Sequence, residues 1–127
     1  MTAPLDIQRA THDGLIILRL RGDIDLSNVA MLEGALQQVC TGSADASRVV
    51  VDATAVEFLS VAGIAALVQA QTRCRQNGLD FAVVAAQRAV LRPLQAIGLD
   101  RQVKIFTSGE AAIATSSVGS GSTGNCW

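Results

Sequence analysis

The stretch VVVDATAVEFLSVAGIAALV, residues 49–68, decides the fold of this chain. Its run of valines is apolar on both faces, which predicts a central strand that ends at Asp52 and is covered on both sides. A short polar link leads to a corner at residues 59–63, and the apolar residues beyond it predict a helix to about Gln76. A buried strand that leads through a turn into a helix is half of an α/β unit.

The sequence before this stretch predicts a hairpin and a helix. Apolar and polar residues alternate in residues 5–9 and toward the end of residues 15–21, and Asp13-Gly14 between them is a turn signal. Ser27 is then predicted to be the N-cap of a helix. The apolar face of that helix comprises Val29, Leu32, Leu36 and either Val39 or Cys40.

The sequence after the stretch continues the alternation of strands and helices. Residues 81–85 predict another buried strand, and apolar residues recur at helical spacing over residues 90–97. Pro93 lies inside that pattern, so either the helix kinks there or a second helix begins with proline at its first position. Residues 103–106 predict a short strand.

The last part of the chain predicts one more helix and a tail. TSGE at residues 107–110 fits a capping box, which would open a helix through residues 111–113. The order of elements predicts an α/β domain with a mixed sheet of about four to five strands and about four helices. We expect a single domain over residues 1–114 and a flexible Ser/Gly-rich tail over residues 115–127.

Composition excludes several classes of function. Of the 127 residues, 50% are apolar and 3% are aromatic, and the formal net charge is −1. Nucleic acids and anionic membrane surfaces bind through a basic patch, so neither is expected as the main partner. The longest uncharged apolar run is shorter than the ~20 residues of a membrane span, and the initial MTAPLDIQRA lacks a signal-peptide pattern. We expect a cytoplasmic protein with no direct membrane insertion.

The cysteine and histidine pattern predicts no metal site. Cys40, Cys74 and Cys126 have no metal-ligand spacing, and His12 is the only histidine. An odd, widely spaced set of cysteines is not typical of a secreted disulfide framework. Cys40 and Cys74 follow apolar residues at helical spacing, which predicts two core thiols. The alternative is that Cys40 and Cys74 form a redox pair.

The sequence contains no recognisable catalytic motif. No nucleophile elbow or phosphate-binding loop is present, and no dinucleotide fingerprint follows a strand. Asp52 ends a buried strand, like the phosphorylated aspartate of response-regulator receivers, but the acidic pair and the lysine of a receiver are out of place. The simpler interpretation is that Asp52 accepts a hydrogen bond from the backbone of its own turn. We expect no enzyme activity and no cofactor.

Several segments together resemble the STAS family. GDID at residues 22–25, VVVD at 49–52, VEFL at 56–59 and GIAAL at 63–67 appear in the order and spacing of that family. The stand-alone members best known are bacterial anti-sigma factor antagonists. The resemblance therefore implies a binding switch rather than an enzyme, with an anti-sigma factor of the serine kinase type as the protein partner.

The corner departs from the family pattern. In the family it usually reads Asp-Ser-Ser/Thr-Gly, and phosphorylation of a hydroxyl there ends binding to the anti-sigma factor. Here it reads Ser60-Val61-Ala62-Gly63, and neither Val61 nor Ala62 can accept phosphate. Ser60 is either the N-cap of the following helix or an alternative phosphoacceptor that lies one or two residues early. The resemblance thus implies an antagonist that phosphorylation at this corner does not switch off.

The resemblance also selects a partner surface. Asp23 and Asp25 match the acidic loop of the family, and Asp23 would offer a carboxylate to a basic group. Val61 and Ala62 would give an apolar contact, Gly63 would permit close backbone approach, and Ser60 completes the surface. Two alternatives stay open, namely an accessory subunit of a membrane lipid transporter and a small-ligand or redox-sensing module acting through Cys40 and Cys74. The chain is expected to be a monomer or a weak dimer.

Overall fold

The computed structural model describes residues 4–40, 47–98, 101 and 103–108. Within them, five strands form one sheet in the order β1-β2-β3-β4-β5. The strands are β1 (Asp6–His12), β2 (Leu15–Ile24), β3 (Arg48–Leu59), β4 (Asp80–Val84) and β5 (Lys104–Phe106). The helices are α1 (Val29–Cys40), α2 (Val61–Gln76) and α3 (Arg88–Ala96). The predicted helix after residue 110, the domain boundary at 114 and the tail at 115–127 lie outside the described residues.

The sheet is mixed, as the sequence predicted. β1 pairs antiparallel with β2, and the pairs β2–β3, β3–β4 and β4–β5 are parallel. The hairpin turn has positive φ at both central residues, 49° at Asp13 and 82° at Gly14, as a two-residue turn between twisted strands requires. The parallel pairs bring the carboxyl ends of β2 and β3 to the same edge of the sheet.

The predicted end of the central strand at Asp52 is wrong. β3 continues to Leu59, although its pairing with β4 stops at Asp52. The pairing with β2 continues past two register shifts, which insert extra residues into β3. The Asp52 carboxylate accepts hydrogen bonds from the Thr54 N–H (3.0 Å) and the Thr54 hydroxyl (2.7 Å). The predicted backbone hydrogen bond of Asp52 is therefore confirmed, but it lies inside a bulged strand rather than a loop.

The main core lies between one face of the sheet and the helices. Val49 and Val51 belong to this core, while Val50 faces a second, smaller cluster on the opposite side of the sheet. All three valines are buried, so the prediction of a strand covered on both faces is confirmed. Pro93 lies inside α3, which is a single helix.

Candidate functional site

The candidate site lies where β2 and β3 end side by side. Ile24 and Leu59 are register partners, and the Ser60 N–H donates to the Ile24 carbonyl at 2.9 Å. The loop after β2 and the corner after β3 are therefore neighbours. This geometry brings together the two segments that the sequence analysis selected, residues 23–25 and 60–63.

Ser60 is the N-cap of α2. Its φ and ψ are −78° and 169°, and its hydroxyl oxygen accepts a hydrogen bond from the Gly63 N–H at 3.2 Å. The Ser60 carbonyl accepts the N–H of Ile64 at 3.0 Å, which closes the first turn of the helix. The predicted N-cap is confirmed, and its oxygen satisfies one of the N–H groups that a helix start leaves unpaired.

Replacing Ser60 with alanine (S60A) is expected to lower the free energy of unfolding by about 1 kcal/mol, because the Gly63 N–H loses its side-chain acceptor. Urea unfolding followed by circular dichroism measures the change. S60T, which keeps an acceptor oxygen, is the matched control and should lose less. Equal stability of S60A and the parent chain would show that the cap contributes nothing.

Val61 and Ala62 face different surroundings. Val61 is 82% exposed at the first position of α2. Ala62 is half-buried and packs against the main core. Of the two positions where the family carries hydroxyl groups, only Val61 therefore presents its whole side chain to solvent.

Gly63 is buried and lies against the two strand ends. A Cβ atom at this position would lie 2.7 Å from Ile24 Cγ2 and 2.7 Å from Leu59 Cδ1. The close approach that Gly63 permits in the structure is therefore internal, between the first turn of α2 and the ends of β2 and β3. A side chain there would push α2 away from the sheet.

The loop after β2 is held by its own polar side chains. The Asp25 carboxylate accepts the Ser27 N–H (3.0 Å) and the Ser27 hydroxyl (2.6 Å). Asn28 accepts the Asp25 N–H at 3.0 Å and donates to the Asp23 carbonyl at 2.8 Å. The hydrogen bond from the Ser27 hydroxyl is the main cause that lowers the pKa of Asp25, so its negative charge is maintained.

The predicted N-cap role of Ser27 is wrong. A turn occupies residues 26–28, and α1 begins at Val29. The Ser27 hydroxyl donates to Asp25 instead of accepting from the helix, because the Asp25 carboxylate is the stronger acceptor within reach. Asp23 lies one residue before the end of β2, is half-buried, and is the register partner of Phe58.

The sequence analysis missed several exposed apolar residues near the same edge. Leu26 is 80% exposed and follows Ile24 by two residues, just as Val61 follows Leu59. Phe58 (51%) and Met31 (52%) are also exposed. A leucine inside a polar loop was the signal that could have identified Leu26. We call the four exposed apolar residues that flank the ends of β2 and β3 the apolar corner: Leu26, Met31, Phe58 and Val61.

The two remaining candidate residues, Cys40 and Cys74, are neighbours, because Asn77 donates to the Cys40 carbonyl (2.8 Å) through its side chain and to the Cys74 carbonyl (3.0 Å) through its backbone N–H. Both are buried free thiols. The neighbouring Cys40 thiol, together with burial, raises the pKa of the Cys74 thiol. The predicted burial in the core is confirmed for both cysteines.

The described residues contain neither a metal-binding cluster nor a membrane-spanning helix. Among residues 4–40, 47–98, 101 and 103–108, no three His, Cys, Asp or Glu side chains are grouped so that they could hold a metal ion. In the described part of the chain, no helix combines the length and the apolar character needed to cross a membrane.

The fold and the corner define a class of protein. A mixed sheet whose second and third strands each lead into a helix, with a capped corner at their shared edge, is the arrangement of a STAS domain. Residues 6–112 match the family model described as "STAS domain", and the chain belongs to this family.

Individual relatives agree with the family. The chain is 34% identical over 110 residues to anti-sigma-F factor antagonist RsfB of Mycobacterium tuberculosis, covering 85% of this chain and 88% of RsfB. It is 26% identical over 103 residues to anti-sigma-F factor antagonist RsfA of the same species, covering 81% and 80%. A crystal structure of an anti-sigma factor antagonist from Mycobacterium paratuberculosis matches with a TM-score of 0.82 and 28% identity, covering 91% of this chain and 97% of that one.

Proposed function

We propose that this chain is an anti-sigma factor antagonist. It binds an anti-sigma factor of the serine kinase type in the bacterial cytoplasm and so frees a sigma factor, which regulates transcription by partner switching. The similarity to RsfB supports this proposal, because it extends over 88% of that protein and not over a shared fragment. The chain acts as a binding protein and not as an enzyme.

The observation that carries the proposal is the apolar corner beside a charged loop. Leu26 and Val61 are more than three-quarters exposed, and the Asp25 carboxylate lies in the same loop as Leu26. Exposed apolar side chains gain free energy when a partner covers them, whereas a carboxylate selects a partner with a complementary basic group. We assign the partner surface to the apolar corner together with Asp23, Asp25 and Ser60–Ala62, while the buried Gly63 supports it from inside.

The regulation of this surface differs from the family pattern. The two positions that carry hydroxyl groups in the family are Val61 and Ala62, which offer no phosphate acceptor. The remaining hydroxyl, on Ser60, is half-buried and accepts the Gly63 N–H at 3.2 Å as the helix cap. We propose that phosphorylation at the corner does not switch this antagonist off.

Incubation of the purified chain with its cognate anti-sigma factor and ATP is expected to leave the corner unmodified, because it presents no suitably placed hydroxyl. Intact-mass spectrometry with peptide mapping of residues 60–63 is the measurement. S60A provides the matched control, since it lacks the corner's single hydroxyl group. Stoichiometric phosphate on Ser60, absent from S60A, would refute phosphorylation independence.

The function itself is tested by release of a sigma factor. The chain is used to capture proteins from its host, and a captured anti-sigma factor is then purified as a complex with its sigma factor. Adding the chain is expected to displace the sigma factor in a concentration-dependent way on size-exclusion chromatography. Failure to displace it, or capture of lipid-transporter subunits in place of an anti-sigma factor, would contradict the proposed function.

A further inference from the structure

Two buried thiols join the ends of α1 and α2. Cys40 is the last residue of α1, and Cys74 lies in the last turn of α2. Each is 0% exposed, and the Asn77 backbone N–H donates to the Cys74 carbonyl at 3.0 Å. The side chain of the same Asn77 bonds to the Cys40 carbonyl, so the two cysteines lie at the same end of the helix pair although they come from different helices.

The backbone on both sides of this pair is held in place. The Asn77 side-chain amide donates to the Cys40 carbonyl at 2.8 Å and to the Arg73 carbonyl at 3.1 Å, so it bridges the two helix ends. The Leu79 N–H donates to the Cys74 carbonyl at 2.8 Å. Reacting groups that are held together by the fold react as if at high local concentration.

We propose that Cys40 and Cys74 form a reversible intramolecular disulfide when the chain meets a peroxide. The Cys40 sulfur attacks one oxygen of hydrogen peroxide, the O–O bond breaks, and Cys40 sulfenic acid and one water form. The Cys74 sulfur then attacks the Cys40 sulfur, the S–O bond breaks, and a second water leaves with the Cys74 proton. Two thiols together lose two electrons, and the peroxide is reduced to two waters.

The environment favours Cys40 as the attacking sulfur. The neighbouring Cys74 thiol lowers the pKa of the Cys40 thiol, and the positive charge of Arg73 acts in the same direction. Both side chains are fully buried, so peroxide reaches them when the helix ends open locally. The reaction is therefore expected to be slower than that of an exposed thiol.

The position of the pair predicts what the disulfide does. Ser60 and Cys74 lie at opposite ends of α2, about 21 Å apart at 1.5 Å per residue. The cross-link therefore restricts the unfolded chain and fixes two helix ends that are remote from the corner. The cross-link is a property of the chain alone and does not depend on the identity of any partner.

The test uses the full chain with Cys126 replaced by serine (C126S), so that Cys40 and Cys74 are the remaining thiols. After incubation with hydrogen peroxide, intact mass is expected to fall by two hydrogens, and peptide mapping should recover a Cys40–Cys74 linked pair. The melting temperature is expected to rise by about 5 °C and to return to its original value after dithiothreitol.

The matched control is the double variant C40S/C126S, which should show no such rise. The intact-mass measurement on C126S keeps the test valid even if C40S lowers stability. Four outcomes would each overturn the proposal: unreacted thiols, sulfinic acid on Cys40 without a link, a disulfide between two chains, or an intramolecular link that leaves the melting temperature unchanged or lowers it.

Discussion

Replacing Val61 with glutamate (V61E) is expected to weaken binding to the proposed anti-sigma factor by more than about tenfold, equivalent to at least ~1.4 kcal/mol. Val61 is 82% exposed at the start of α2, so a partner that covers the apolar corner must desolvate whatever side chain stands there. Burying an unpaired carboxylate costs more free energy than this threshold. Titration calorimetry with the purified anti-sigma factor measures the loss.

The fold of V61E is expected to survive. The substituted side chain is exposed, and a negative charge in the first turn of a helix interacts favourably with the helix dipole. Q69E is the matched control, because it adds the same charge to an exposed position further along α2. Q69E should bind with the same affinity as the parent chain. Unchanged affinity of V61E would show that the apolar corner is not part of the binding surface.

Replacing Gly63 with valine (G63V) is expected to lower the free energy of unfolding by about 2–3 kcal/mol. Even the first added carbon would lie 2.7 Å from Ile24 Cγ2 and 2.7 Å from Leu59 Cδ1, far inside van der Waals contact. The branched Ile24 side chain lies at the end of β2 and cannot turn aside freely. The first turn of α2 must therefore move away from the strand ends, and the corner moves with it.

G34V is the matched control for this substitution. Gly34 lies in α1, and a Cβ atom added there would meet nothing within 4 Å. Valine at that position is expected to leave stability unchanged or to raise it slightly, because glycine is the poorer helix former. Urea unfolding measures the free energy of unfolding of both variants. A G63V chain as stable as the parent would show that α2 does not depend on this close approach.

The fold was predictable from the sequence wherever the signals are local. The valines of β3, the Asp13-Gly14 turn and the Ser60 cap each depend on a few neighbouring residues, and the structure confirms all three. The full length of β3 was not predictable, because DAT at residues 52–54 has the composition of a loop. It stays in the strand because Asp52 bonds to Thr54 across the bulge while β2 continues to pair.

The candidate site was predictable in part for the same reason. The corner at residues 60–63 could be recognised from its sequence. Its closeness to the loop at residues 24–28 could not, because it depends on the pairing of Ile24 with Leu59. The exposure of Leu26 depends on how Asp25 and Asn28 fold the loop. The proximity of Cys40 and Cys74 arises from helix packing between distant parts of the chain, which no local pattern records.

The central claim is that phosphorylation at residues 60–63 does not switch off binding to the anti-sigma factor. The most direct measurement is the affinity of the chain for that factor before and after incubation with the factor and ATP. Binding at a corner without hydroxyl groups at positions 61 and 62 predicts the same dissociation constant in both titrations. A loss of affinity of more than about tenfold, accompanied by phosphate on Ser60, would contradict it.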